Sequence, residues 1–274
     1  MSEPVRNKDG LTEEEFLAQY NPSDYERPSV TVDMMVLCMS KYLENMKILL
    51  IQRGDHPFIN HWALAGGFVD IKESTYQAAC RELEEETGLR NIYLEQLYTM
   101  SQPDRDPRMR VITVSYIALI NEQEVKAGDD AKNALWFDIV KFTNSRLTLH
   151  NSDEDITIDY KLTKKSFKNG VINVEGLVPE HCSGEKLAAD HVDIILEGLT
   201  RLRNKVMYSD VAFNLLPRVF TLTDLRKVYE VILGEELYKT NFKRHVEAKL
   251  DSLDYKTTSL VKNGKLSQAY KYRG

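Results

Sequence analysis

The residues best suited to chemistry lie between Gly67 and Leu89, in the run GFVDIKESTYQAACRELEEETGL. The run holds Glu73, Arg81 and four further carboxylates at Glu82, Glu84, Glu85 and Glu86, and it closes on Gly88 and Leu89. Ser74 followed by Gln77 is a capping box, so the spacing predicts a helix from Thr75 to about Thr87 with Gly88 as its left-handed stop. Tyr76, Ala79, Leu83 and Thr87, with Cys80 at the margin, share a face that can pack on a core. Glu82, Glu85 and Glu86 stand at i, i+3 and i+4, so three carboxylates meet within one turn. Like charges at that spacing repel one another, and a bound cation relieves the repulsion. Ligands that are all oxygen suit a hard ion such as Mg²⁺ or Mn²⁺. Taken alone, the same glutamates also make a solvated, helix-favouring face.

The full spacing favours the first reading. Gly67, Glu73, Arg81-Glu82-Leu83, Glu85-Glu86 and Gly88-Leu89 resemble the Nudix box at every fixed position. The resemblance implies an α/β/α sandwich and a metal-dependent site that splits a pyrophosphate linked to another moiety. It implies that Glu82, Glu85 and Glu86 bind the divalent ion, Mg²⁺ or Mn²⁺, with the carbonyl of Gly66 as a further ligand. Arg81 holds neighbouring carboxylates in place, and Glu73 is an outer support or ligand, so Glu85, Glu82, Arg81 and Glu73 form the catalytic set. The general base varies in the family, which leaves Glu85, Asp104, Asp129 and Asp130 as candidates.

Substrate choice comes from outside the box. The loop PDRDPR at 103–108 resembles that of ADP-ribose pyrophosphatases and of ADP-ribose-sensing regulators. Arginines there suit phosphate and aspartates suit ribose hydroxyls. Asp104, Arg105 and Arg108 are therefore candidate substrate contacts, together with Arg53 and with Gly67, whose missing Cβ lets backbone approach a ligand. By composition alone the loop is equally a solvated turn with internal Asp–Arg pairs. Met109 stands where the family has a small residue, and Ala65 stands where proline commonly precedes the double glycine. Trp62 and Phe58 read as core rather than as platforms for a base.

Positioning these groups requires a sheet. Val30–Met39, Met46–Gln52, Trp62–Val69, Ile92–Met100, Val111–Ile120 and a short Ala134–Phe137 read as extended segments. Alternation between Phe142 and Gly176 predicts added strands as an insertion at about 142–176. Thr12 with Glu15 predicts a short helix over 13–19 in an N-terminal extension. Helical spacing from Leu187 to Val206 predicts a long helix that closes this domain, with no flexible linker after it. The divisions expected are 1–28, 29–206 and 207–274.

The last segment reads differently. Ser209–Leu215 predicts a short helix, Thr221 with Asp224 starts another that Gly234 stops, and Asn241–Leu250 predicts a third with Lys243, Arg244 and Lys249 outside. Asn263-Gly264 then predicts a two-residue hairpin. Helix, helix, basic helix, hairpin is the order of a winged helix-turn-helix, or of a plain dimerising bundle. The wording LLPRVFTLTDLRKVYEVILGEELYKTNFKRHV resembles the C-terminal domain of Nudix-related transcriptional regulators. That resemblance implies that the third helix enters the major groove of operator DNA, with Lys239, Asn241, Lys243 and Arg244 on phosphates or base edges and Lys262 and Lys265 on the wing.

Charge agrees with a division of labour. Residues 1–204 carry 23 Lys and Arg against 34 Asp and Glu, whereas residues 205–274 carry 13 against 8. A basic segment behind an acidic body suits a polyanionic partner. Three widely spaced cysteines, Cys38, Cys80 and Cys182, give neither a disulfide framework nor a zinc site. The polar start MSEPVRNKDG and the absence of a membrane-length apolar run point to the cytoplasm, with no membrane partner. The unbroken glutamates put hydrolysis of ADP-ribose or a related nucleoside diphosphate derivative first. A DNA-binding regulator that senses ADP-ribose or a sugar metabolite is the alternative, in either case as a homodimer.

Overall fold

The structure, a computed structural model, describes residues 4–90, 92–121 and 131–274. The first helix, α1 (Glu13–Gln19), is closed by the expected box of Thr12 and Glu15 and buries none of its residues. Ten strands follow around two helices: β1 (Ser29–Met39), β2 (Met46–Arg53), β3 (Trp62–Ala63), β4 (Ala65–Phe68), α2 (Thr75–Thr87), β5 (Tyr93–Met100), β6 (Val111–Leu119), β7 (Ala131–Thr143), β8 (Arg146–Asn151), β9 (Ile156–Asn169), β10 (Ile172–Gly184) and α3 (His191–Lys205). They make one sheet in the order β10-β9-β8-β7-β2-β1-β6-β5, with β3 on β2 and β4 on β1. The β1–β6 pairing is parallel and the other strand pairings described in this sheet are antiparallel, so the sheet is mixed.

The sandwich follows from β1. Its run VTVDMMVLCM is apolar on both faces, and such a strand needs a layer on each side. Successive side chains alternate between faces. Val32, Met34, Val36 and Cys38 accordingly join Ala78, Ala79 and Leu83 of α2. Met35, Leu37 and Met39 join Ile194, Ile195, Leu199 and Leu202 of α3. Gly198 lets α3 lie flush on the sheet, since a Cβ there would stand 2.2 Å from Met35 Cε.

The strand expected at 134–137 is the middle of a 13-residue one, and the strands expected at 142–176 extend the same sheet as β8, β9 and β10. Beyond α3 come a 3₁₀ turn (Val211–Leu215), β11 (Phe220–Thr221), α4 (Leu222–Leu233), α5 (Lys239–Val246), β12 (Leu250–Thr258) and β13 (Leu266–Tyr272), with β13 at the centre of a three-stranded sheet. Two expectations are corrected here. The third helix ends at Val246 and passes through a 3₁₀ turn into β12, which places Leu250 at the start of a strand. The two-residue hairpin is a link of residues 259–265: Asn263 does take a left-handed backbone, at φ 59°, but Ser259 and the amide of Leu260 are drawn onto the buried Asp224 carboxylate, at 2.6 and 2.7 Å, which ends strand pairing early. One apolar core runs through both halves, from Leu199, Leu202 and Val206 of the first to Leu215, Leu225, Val228 and Tyr229 of the second. Among the described residues, no helix is long and apolar enough to cross a membrane.

Candidate functional site

Helix α2 begins and ends where its capping chemistry requires. Ser74 accepts the amide of Gln77, Gln77 accepts that of Ser74, and Gly88 closes the helix at φ 74°. Its burial differs from the expected face. Ala78, Ala79, Leu83 and Thr87 go inward together with Glu86, whereas Tyr76 and Cys80 are exposed. The short Ala78 and Ala79 side chains bring α2 close to the sheet, and the larger Tyr76 and Cys80 stay at the rim.

The carboxylates consequently fall into two groups. Arg81 gathers the first: it donates to Glu73 (Nη2 to Oε1, 2.6 Å), Glu82 (Nη1 to Oε1, 2.7 Å) and Glu85 (Nη1 to Oε2, 3.1 Å), and to the carbonyl of Phe68 at 3.1 Å. These are the contacts that a holding role for Arg81 would use. Its guanidinium keeps the Glu73 carboxyl below the usual range, while burial pushes Glu82 above it. Glu86 is the second group. It lies under the glycine turn, where Oε2 accepts the Gly66 amide at 2.7 Å, and among the described residues it has no ion-pair partner. Burial pushes its pKa up to about 8, and the nearby Glu82 and Asp33 charges push the same way. Gly67 packs so closely on Glu82 that a Cβ would stand 2.2 Å from Oε1. Glycine is thus required by the Glu82 carboxylate, a reason different from the expected approach of backbone to a ligand.

The donor set fits a hard divalent cation. Glu82 and Glu86 flank Gly66-Gly67, Glu85 is open to solvent, and a buried carboxylate without a counter-charge is relieved by a metal ion. Within the described residues the three carboxylates are not gathered into one cluster, because Arg81 holds Glu82 and Glu85 while Glu86 turns beneath the strand. Sequence spacing alone had brought them together.

The loop between β5 and β6 lies over this turn, and its residues separate. Arg108 is exposed, held by Asp106 at 2.8 Å and 5.5 Å from the Phe68 ring centroid, beside Gly67. Asp104 is exposed as well. Arg105 is already paired instead of exposed. Its side chain is 5% exposed, forks onto Asp190 and reaches Asp33 at 3.4 Å. Arg53 donates from Nε to the carbonyl of Pro57 at 2.8 Å and lies near enough to Glu86 to lower its pKa slightly. Trp62 is core, 1% exposed and edge-on to Phe137, and Phe58 packs beside Ile51 and Ala63. Asp129 and Asp130, two candidate bases, lie outside the described residues.

The polar residues that sequence reasoning missed are Asp33, Asp190 and His191. His191 accepts the Leu64 amide on Nδ1 at 2.8 Å and faces Asp33 with Nε2 at 3.6 Å. Full burial pushes its pKa down, which keeps the ring neutral. Asp33 was detectable as the one charge inside an apolar strand. Asp190 and His191, more than 80 residues from the loop they support, carried no local signal.

In the second half, Lys239, Asn241, Lys243 and Arg244 are all exposed on α5, and Lys262 and Lys265 are exposed on the 259–265 link. Phe242 and Val246 anchor the opposite face of α5 in the core. Arg244 donates to Asn241 at 2.9 Å, which holds two candidate DNA contacts side by side. Lys249 differs from expectation: it is partly buried and paired with Asp210 at 2.6 Å.

Comparison with known proteins adds five likenesses to this geometry. A NUDIX domain model matches residues 33–160, and a model described as the NrtR DNA-binding winged helix domain matches 212–272. The chain is 34% identical over 237 residues to the ADPR responsive transcriptional repressor NtrR of Acinetobacter baylyi, covering 86% of this chain and 78% of that one. It is 40% identical over 146 residues to the ADP-ribose pyrophosphatase of Methanocaldococcus jannaschii, covering 53% of this chain and 78% of that one. The crystal structure of Shewanella oneidensis NrtR complexed with a 27mer DNA superposes with a TM-score of 0.65 at 28% identity, over 89% of this chain and 93% of that one.

Proposed function

This chain belongs to the Nudix family and carries an NrtR-type DNA-binding winged helix domain, and from that premise we propose that it is a transcriptional regulator whose Nudix half senses ADP-ribose. The observation that carries the proposal is the presence in one chain, joined by one core, of a site built for a charged ligand and an exposed basic helix. Similarity to an ADP-ribose-responsive repressor across both halves supports the same reading over the hydrolase that the glutamates first favoured.

In this reading the pyrophosphate lies at Gly66-Gly67, with Arg108 above it and Asp104 toward a ribose. Glu82, Glu85 and Glu86, with the carbonyl of Gly66, would hold a divalent ion, which supplies positive charge against the pyrophosphate. Arg81 keeps Glu82 and Glu85 together before any ion arrives, and Glu73 fixes Arg81. On the other half, Lys239, Asn241, Lys243 and Arg244 of α5 face the major groove, with Lys262 and Lys265 along the backbone. A homodimer reading two half-sites is the matching assembly.

The test uses the full chain and a duplex selected by it from a random-sequence library. The expected result is a preferred sequence whose affinity changes when ADP-ribose is added. Absence of both sequence preference and ADP-ribose dependence rejects the proposal.

A second reading is favoured by the complete box: with Arg81, Glu82, Glu85 and Glu86 all present, the regulator also cleaves its ligand to AMP and ribose phosphate. Turnover of ADP-ribose with Mg²⁺ or Mn²⁺ that falls at least about 100-fold in Glu85→Gln supports it. No turnover in the wild type leaves a sensor alone.

A further inference from the structure

Asp190 immediately precedes α3, where a carboxylate ordinarily accepts hydrogen bonds from the first free amides of a helix. Here it makes no such bond. Both of its oxygens instead take the Arg105 guanidinium, at 2.9 Å from Nε and 2.7 Å from Nη2. Arg105 comes from the loop over the ligand site, and its Nη2 also reaches Asp33, the register partner of Gly66. The start of α3 is therefore tied to that loop and, through Asp33 and Gly66, to Glu86.

The far end of α3 is tied to the other half. Arg203 donates from Nε to the carbonyl of Ile232 in α4 at 3.0 Å and from Nη2 to that of Phe142 in β7 at 2.8 Å, stacked 4.1 Å from the Phe142 ring centroid. Among the described residues it pairs with no carboxylate. A cleft of about 460 Å³ opens beside it, lined by Phe142, Leu199, Glu230, Ile232 and Gly234, so α4 has room to shift there. Asp190 and Arg203 lie at opposite ends of a helix of 15 residues, separated by about 20 Å along its axis. Gly198 seats the middle of that length closely against Met35 of β1.

We infer that α3 carries the ligand state of the loop to the winged helix, with Asp190 as the switch, paired with Arg105 in one state and capping α3 in the other. The inference rests on the sensor reading above. The chemistry is competition for one guanidinium: a pyrophosphate offers Arg105 a bidentate partner as good as a carboxylate. Asp190, once released, stands at the start of α3, where the His191 and Asp193 amides are held by the carbonyls of Ala188 and Asp190 at 3.1 and 2.9 Å and the Val192 amide is left for its carboxylate. Taking the cap moves the start of the helix off the loop, and Arg203 passes the movement to the carbonyl of Ile232. Each arrangement satisfies the Asp190 charge, so the element has two discrete states that a ligand can bias.

The experiment compares DNA affinity with and without ADP-ribose in the wild type, Asp190→Asn, Arg203→Met and Arg203→Lys, all as full chains, with ADP-ribose affinity followed by calorimetry. The wild type is expected to show a ratio in the range of about 5- to 150-fold typical of coupled sites. Arg203→Met keeps the apolar stem, binds ADP-ribose as the wild type does and brings the ratio to about 1. Arg203→Lys keeps the charge but not the fork and gives an intermediate ratio; it carries the test if Arg203→Met fails to fold. Asp190→Asn, without ligand, binds DNA with an affinity shifted toward the ligand-bound value and, by reciprocity, binds ADP-ribose more tightly. Wild-type ratios in both Asp190→Asn and the Arg203 variants overturn the inference and leave the sensor reading standing. A ratio of 1 in the wild type overturns the sensor reading itself, and the inference with it.

Discussion

Glu86 concentrates the chemistry of the site in one side chain. Its folded pKa, about 8, lies above the ordinary carboxyl value of 4.5, because burial disfavours the charged form. The folded state thus holds the proton more tightly than the unfolded one. Its contribution to stability is complete below pH 4.5 and is lost as pH rises through 8. Glu86→Gln keeps an acceptor for the Gly66 amide and removes the charge. Without metal, the variant should be more stable than the wild type at pH 8 by on the order of 2 kcal/mol, or roughly 4–8 °C in melting temperature, with the gap closing near pH 5. Thermal melts at the two pH values, in chelator, measure this. Adding Mg²⁺ should raise the wild-type melting temperature at pH 8 and leave Glu86→Gln nearly unmoved. The box was legible as a constellation, since its residues are local in sequence. Its geometry was only half legible, because Glu86 is three residues from Leu83 as well as four from Glu82, and packing of α2 decided between the two faces.

Among the elements, the three capping-box helices α1, α2 and α4 could be read from the sequence to within a residue, because their signals lie within one turn. The link between β12 and β13 could not, because its shape is set by a residue 35 positions away. Asp224 is fully buried and takes hydrogen bonds from the Thr221 amide and hydroxyl, from Ser259 Oγ and from the Leu260 amide. One carboxylate therefore caps α4 and fastens the link that carries Lys262 and Lys265. Asp224→Ala leaves those donors without an acceptor and should destabilise the winged helix by about 3 kcal/mol. Native-state hydrogen exchange is the appropriate readout: α4, β12 and β13 lose protection while β1 and β6 keep theirs. Equal loss in both halves would instead make the shared core one cooperative unit. The 142–176 segment was legible as strands but not as part of the main sheet, since pairing between distant strands leaves no trace in a local pattern.

For the whole molecule, the uneven charge of the sequence becomes a surface with a direction, because the exposed lysines and Arg244 of α5 lie opposite Phe242 and Val246 in the core. DNA affinity should fall steeply with salt. Lys243→Ala should reduce the slope of log K against log salt by about 0.9 if it meets one phosphate, equally for all sequences. A change at Asn241 should instead alter the preferred sequence, which competition between duplexes would reveal. The central position of β13 has one more result. It pairs with β11 on one side and β12 on the other, so it holds the small sheet together from the middle. A protease that cuts within 259–265 and frees β13 would leave the ligand site whole and the DNA reader in pieces. In the regulator proposed above, cleavage at that link would make the response permanent, ended only by synthesis of new protein.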